Sequence, residues 1–204
     1  VLGGFGALFF KKLILVLQGA FWNTPNMASE TLLAVSWYRR LLIPMVGGLI
    51  VGPLIYFLAR EARGPGVPEV MIAVIVKNSI IRPIVVLVKI LASAICIGSG
   101  GSVGREGPIV QIGAAIASTT GQILRLSPVQ LKTLVGCGVA AGISATFNAP
   151  IAGALFSLEL IVSDFGLTPF TPILVASVSA AAITRHFHGN VIEFVDLPQF
   201  TICL

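Results

Sequence analysis

Polar residues interrupt this chain so rarely that its pattern reduces to apolar runs and the short gaps between them. The runs occupy residues 1–21, 41–60, 67–76, 83–98, 107–124, 128–147, 150–163 and 168–185. They do not alternate apolar and polar positions as barrel strands do, so they predict helices. A helix crossing the hydrocarbon core of a bilayer needs about 20 residues. Several runs fall short of that, and the run at 41–60 is interrupted by Pro44, by Gly47-Gly48 and by Gly52-Pro53. Such segments predict helices that stop partway through a membrane. A stopped helix leaves backbone groups without partners, which lipid tolerates only where they line a polar cavity or hold a ligand. The predicted fold class is therefore all-α and transmembrane, a bundle of tilted and broken helices. The final stretch, 190–200, mixes β-branched residues with Glu193 and Asp196 and predicts a loop outside the membrane.

Composition strengthens this picture. Apolar residues make up 56% of the chain and charged residues 10%, with a mean hydropathy of +0.99. Soluble domains carry about 25% charged residues. A chain this poor in charge cannot cover a water-facing surface, so it reads as a multi-pass integral membrane protein whose first partner is lipid. The net charge of +5 does not indicate nucleic acid. Its basic residues fall in short clusters between apolar runs, namely Lys11-Lys12, Arg39-Arg40, Arg60 with Arg63, and Lys77 with Arg82. That is the distribution of helix-end anchors, not of a basic stripe interleaved with aromatics. Cys96, Cys137 and Cys203 are far apart and read as small buried hydrophobes, neither a disulfide frame nor a metal site. His186 and His188 lie near the end of an apolar run, at the membrane surface, with no carboxylate or cysteine at ligand spacing. No metal or cofactor is expected. Gly136, Ala140 and Ser144, with Gly138 and Gly142, recur at helical spacing and predict close helix packing. The chain opens without a methionine and stops without a tail, which reads as a piece of something longer.

Three places carry candidate chemistry. At 63–70, 98–110 and 147–153 a glycine- or proline-containing turn opens an apolar run, with Pro68, Pro108 and Pro150 where a first helical turn accepts proline. Each therefore reads as a helix start. A helix start presents N–H groups without intrahelical partners and about half a positive charge. It is a ready anion site, strengthened in low dielectric. Several starts aimed at one point would hold a small anion weakly enough to release it. Glu106 lies at the second start. A carboxylate there competes for the place an anion would take, blocking it when ionised and admitting it when moved or protonated. The plainer alternative is a surface cap, or a charge neutralised by Arg105. A different class of reading takes Gly100–Gly104 as G-x-S-x-G, with Ser102 the nucleophile of a membrane-embedded serine hydrolase and Asp164 and His186 following in order. That motif needs a strand before it. A phosphate cradle fails, because Val103 stands where G-x-G-x-x-G requires glycine.

Taken together, these residues resemble the CLC family of chloride channels and anion/proton exchangers. GREGP at 104–108 matches that family's most specific motif. GPGVPE at 64–69 resembles its GSGIPE motif, and FNAPIAGALFSLE at 147–159 resembles a third stretch. The likeness runs from about residue 40 to 187. It implies a homodimer with one pore per subunit, built from inverted repeats, of which residues 1–204 resemble the first. It implies transport of small anions and no enzymatic activity. By resemblance, Glu106 is the gating residue, and Gly104, Arg105, Gly107 and Pro108 shape its loop and the outer anion site. Gly64, Pro65, Gly66 and Val67 form the inner anion loop. Lys89 resembles a lysine that raises the positive potential near the pore; its alternative is a snorkelling anchor. Two departures matter. Pro65 replaces a serine whose hydroxyl contacts the anion, and relatives with proline there often favour nitrate over chloride. Leu160 stands where exchangers carry a proton-relaying glutamate, so the resemblance implies channel-like or weakly coupled transport, with Glu159 the one candidate for a proton route and a chloride/proton antiporter the rival reading.

Overall fold

The computed structural model describes residues 2–22, 35–58, 64–163 and 166–188. Each apolar run is a helix: α1 Leu2–Trp22, α2 Trp37–Leu58, α3 Val67–Val76, α4 Pro83–Gly98, α5 Glu106–Ile123, α6 Pro128–Phe147, α7 Pro150–Phe156 and α8 Leu167–His188. A π-helical turn, Ser157–Val162, continues α7. No strand occurs among the described residues. Proline opens these helices repeatedly. It is the first residue of α4, α6 and α7, the second of α3 and the third of α5, positions whose N–H would lack an intrahelical acceptor in any case.

Four helices, α1, α2, α6 and α8, are long and apolar enough to cross a membrane, whereas α3, α4 and α7 with its π turn are shorter. The chain is thus a multi-pass integral membrane segment. At 1.5 Å per residue the ten residues of α3 reach only about 15 Å, half of a bilayer core. One expected break is absent. Pro44 and Pro53 lie inside α2, which runs unbroken for 22 residues. Each proline removes one backbone bond, a loss that membrane helices tolerate where neighbours and local adjustment compensate. The stopped helices are α3 and α7.

Helix α6 is the hub. Its Val135, Val139 and Ile143 pack with Val70, Ala73 and Val74 of α3, Val85 and Val88 of α4, Val110 and Ala114 of α5, and Ile161 of the π turn. A second cluster joins Phe10 and Ile14 of α1 to Ile90, Ala94 and Ile97 of α4 and Ile109 and Ile112 of α5. Lipid is as apolar as leucine, so burial alone does not drive these contacts; close backbone approach and interhelical hydrogen bonds do. Gly113 and Gly138 show the first: a Cβ on either would meet the other's carbonyl group. Hydroxyls supply the second, from Ser144 Oγ to the Ser177 carbonyl at 2.7 Å and from Ser157 Oγ to the Gly136 carbonyl at 2.7 Å. The small-residue spacing on α6 is therefore a packing device, as read.

Some local expectations change. Lys11 and Lys12 lie mid-way along α1, not at a helix end; Lys11 is half-buried and Lys12 exposed. Arg39-Arg40, at the start of α2, and Lys77 and Arg82, which flank the α3–α4 loop, sit at helix ends as anchors do. Cys96 and Cys137 are only half-buried thiols, because each sits on a helix flank beside the core. His186 is exposed near the end of α8. The Arg60–Arg63 pair, Asp164, Cys203 and the 190–200 loop lie outside the described residues.

Candidate functional site

Two of the three glycine-proline starts meet. Gly66, at the cap of α3, adopts φ 111°, a left-handed conformation that favours glycine. A Cβ on Gly66 would strike the Gly107 carbonyl oxygen and lie 2.6 Å from its carbon; a Cβ on Gly107 would strike the Pro65 carbonyl oxygen and lie 2.8 Å from its carbon. The loops before α3 and α5 thus touch backbone to backbone, and only glycine at both positions permits it. The first turns of the two helices are brought side by side, each with the partial positive charge of a helix start. Gly66 and Pro108 are buried, Gly64, Val67, Arg105 and Gly107 half-buried, and Pro65 and Gly104 exposed.

Glu106 is the first residue of α5. Its carboxylate folds back over Gly104, where a Cβ would collide with Oε2, and the side chain is exposed. Among the described residues, no side chain caps α5, whose cap position is Arg105 in a helical conformation, φ −83° and ψ −19°.

Lys89 is not a snorkelling anchor. Only 5% of it is exposed, and Nζ donates to the Gly64 carbonyl at 2.7 Å. A charged group so deep needs a partner, and here the partner is the 64–66 loop. Sequence reasoning missed Glu69. Its Oε2 accepts the Gly66 N–H at 2.7 Å, and its Oε1 lies against Gly64. The signal was present: a glutamate three residues after a helix cap reaches back to the cap N–H. Glu69 and Lys89 also interact through their opposite charges.

The third start is held elsewhere. Asn148 ends α6 in a left-handed conformation, φ 54°. Its Oδ1 accepts from Arg185 Nε at 2.6 Å, and Ser177 Oγ donates to the Pro150 carbonyl at 2.6 Å. Gly153 packs on α6, where a Cβ would lie 2.8 Å from the Ala140 carbonyl oxygen. These contacts tie the start of α7 to α6 and α8. Of the three starts, the structure brings two into backbone contact. Glu159 and Leu160 both lie exposed on the π turn.

Ser102 is exposed in the loop after α4. A nucleophile elbow is a strand-to-helix turn; a helix stands where the strand is required, so the hydrolase reading falls.

Known proteins bear on the site's identity. The family model described as voltage gated chloride channel matches residues 47–201. A putative chloride channel protein ClcB-like of Ralstonia nicotianae is 34% identical over 191 residues, covering 92% of this chain and 44% of the relative. The chloride channel protein CLC-e of Arabidopsis thaliana is 30% identical, covering 90% of this chain and 27% of that protein. Among solved structures, a CLC-type fluoride/proton antiporter superposes with a TM-score of 0.74 at 28% identity, over 97% of this chain and 47% of that one. A slow cyanobacterial Cl−/H+ antiporter gives a TM-score of 0.76 at 23% identity, a likeness of fold. The chain spans less than half the length of these curated relatives. Motifs, helix order, the junction of two helix starts and the extent of these matches agree: the chain belongs to the voltage gated chloride channel family.

Proposed function

We propose that the protein containing this chain carries small anions, chloride or nitrate, across a lipid membrane along a CLC-type pathway gated by Glu106. The observation that carries this reading is the Gly66–Gly107 junction. It sets two helix starts side by side, with the α5 carboxylate folded over the adjoining loop. A small anion facing that junction gains the field of two helix termini without meeting a full counter-charge, a balance suited to entry and release. Gly64, Pro65, Gly66 and Val67 on one side, and Gly104, Arg105, Gly107 and Pro108 on the other, line the approach. Lys89 adds a buried positive charge. Pro65 offers neither a hydroxyl nor an N–H, so anion choice there rests on backbone donors, which suits nitrate as well as chloride.

Residues 1–204 serve as the first of two inverted repeats, and the working unit is a homodimer. Replacing Glu106 with alanine in the complete polypeptide, reconstituted in liposomes, raises anion efflux several-fold and removes its dependence on pH. Efflux equal to wild type rejects the gate.

Leucine at 160 cannot carry a proton, which favours uncoupled or weakly coupled flux. The rival, proton antiport, has Glu159 in its favour, exposed on a π turn one residue away; such turns are frequent at functional sites. A chloride gradient that drives protons uphill in the same liposomes decides for antiport.

A further inference from the structure

We propose that Glu69 is a positioning residue for the anion loop, acting with Lys89 as a two-sided clamp that sets which backbone N–H groups of α3 face the anion. The inference rests on the transport reading above and adds to it a residue and a mechanism.

The start of α3 has few donors to give. Pro65 and Pro68 have no N–H. Gly66 donates its N–H to Glu69 Oε2 at 2.7 Å, so that donor is taken from inside the protein. What remains at this terminus is the N–H of Val67, with that of Glu69 behind it. On the other side of the loop, Lys89 Nζ holds the Gly64 carbonyl at 2.7 Å. The loop between these two grips is Gly64-Pro65-Gly66, the stretch whose backbone abuts Gly107. One carboxylate and one ammonium group therefore fix both ends of a three-residue segment. The two side chains also attract one another through their opposite charges. Gly66 at φ 111° has the widest conformational freedom of any residue type and would move most when released.

Withdrawing the accepting oxygen frees the Gly66 N–H to compete for the anion and lets the loop shift. The consequence is altered selection among anions, not merely less protein. Glu69 also lines a cavity of about 120 Å³ beside Val70, Ile81, Val85 and Gln111. The cavity gives a shortened side chain room to move without a clash, so E69D is not an overpacking change.

Two substitutions separate reach from charge. Glu69→Gln keeps an oxygen at the same reach and loses the charge; Glu69→Asp keeps the charge and loses a methylene of reach. In liposomes loaded with chloride or nitrate, E69D is expected to shift the nitrate-to-chloride flux ratio at least threefold and to raise the half-saturating anion concentration about fivefold. E69Q is expected to stay within twofold of wild type in both. Maximal flux of both variants should remain within threefold of wild type. A purely structural role would lower maximal flux and leave the ratio unchanged, and that result overturns the proposal. So does E69Q behaving as E69D, because an acceptor kept at the same reach would then fail to keep the loop's selectivity. Wild-type protein that carries neither anion overturns the transport reading itself, a result distinct from an active wild type with unaltered E69D.

Discussion

Gly107→Ala tests whether the junction of two helix starts is the working part of this protein. The added methyl group would overlap the Pro65 carbonyl oxygen and lie 2.8 Å from the carbonyl carbon. Ordinary van der Waals contact begins near 3.4 Å, so the carbons alone are about 0.6 Å too close. Backbone cannot rotate out of the way as a side chain does. The loop before α3 must therefore retreat from α5, against the grips of Glu69 and Lys89. Overpacking of this kind costs about 1–3 kcal/mol, equivalent to a fall of about 3–10 °C in Tm for a chain of this size. The effect on transport should exceed the effect on stability, because misplacing a binding group by about 1 Å can cost on the order of a hundredfold in rate. We expect at least a tenfold loss of anion efflux. Gly48→Ala is the control. It lies in α2 with nothing within 4 Å of an added Cβ, and alanine in a helix interior is favoured over glycine by about 0.5–1 kcal/mol. G48A should keep wild-type flux and gain slightly in Tm. Thermal unfolding in detergent and efflux from liposomes read the two quantities separately. G107A with wild-type Tm and wild-type flux would refute the geometry. G107A with a lower Tm and wild-type flux would leave the packing intact and refute its link to anion passage.

Ser118→Ala should destabilise without touching selectivity. The buried Ser118 hydroxyl donates to the Ser79 carbonyl at 2.7 Å and accepts from the Ile81 N–H at 2.9 Å, and each stranded partner costs about 1–3 kcal/mol. Tm should fall by at least 5 °C while the nitrate-to-chloride ratio stays fixed, since the α3–α4 loop it holds lies at the far end of α3 from Gly66. Trp22→Phe removes the indole N–H bond to the Gly98 carbonyl at 3.1 Å, worth about 0.5–1.5 kcal/mol. A small Tm loss of a few degrees is expected, and an unchanged Tm would show that the bond does not fasten α1 to the end of α4.

The helices were legible because apolar runs and their proline openings are local features. Boundaries at 67–76, 83–98 and 128–147 coincide with those read from the pattern. The unbroken α2 was not legible, because a proline's effect depends on what surrounds the helix, and Pro44 and Pro53 carry no mark of that in sequence. Glu106 was legible as a charge at a helix start. The contact between Gly66 and Gly107 was not: it joins residues 41 positions apart, and no local rule says which two glycines will touch. The same holds for Lys89 and Gly64, 25 residues apart. Glu69 is the instructive miss, since its cap is local and the spacing from Gly66 announces it.

The roles proposed for the two carboxylates at the junction follow from their different places within the first turn. Glu69 is the third residue of α3, and from there a glutamate reaches back to the cap N–H. Its bond closes a short ring and ties the carboxylate to its own backbone. Glu106 is the first residue of α5 and has no such ring to close; its carboxylate folds over Gly104, which has no side chain to hold it. One acid is fastened and consumes a donor. The other is tethered by its stem alone, above a helix start that no side chain caps among the described residues. A fastened carboxylate shapes the site, and a tethered one can leave it. An exchange of roles, with Glu106 fixed and Glu69 moving, would need Glu106 two positions further along its helix, where Pro108 stands.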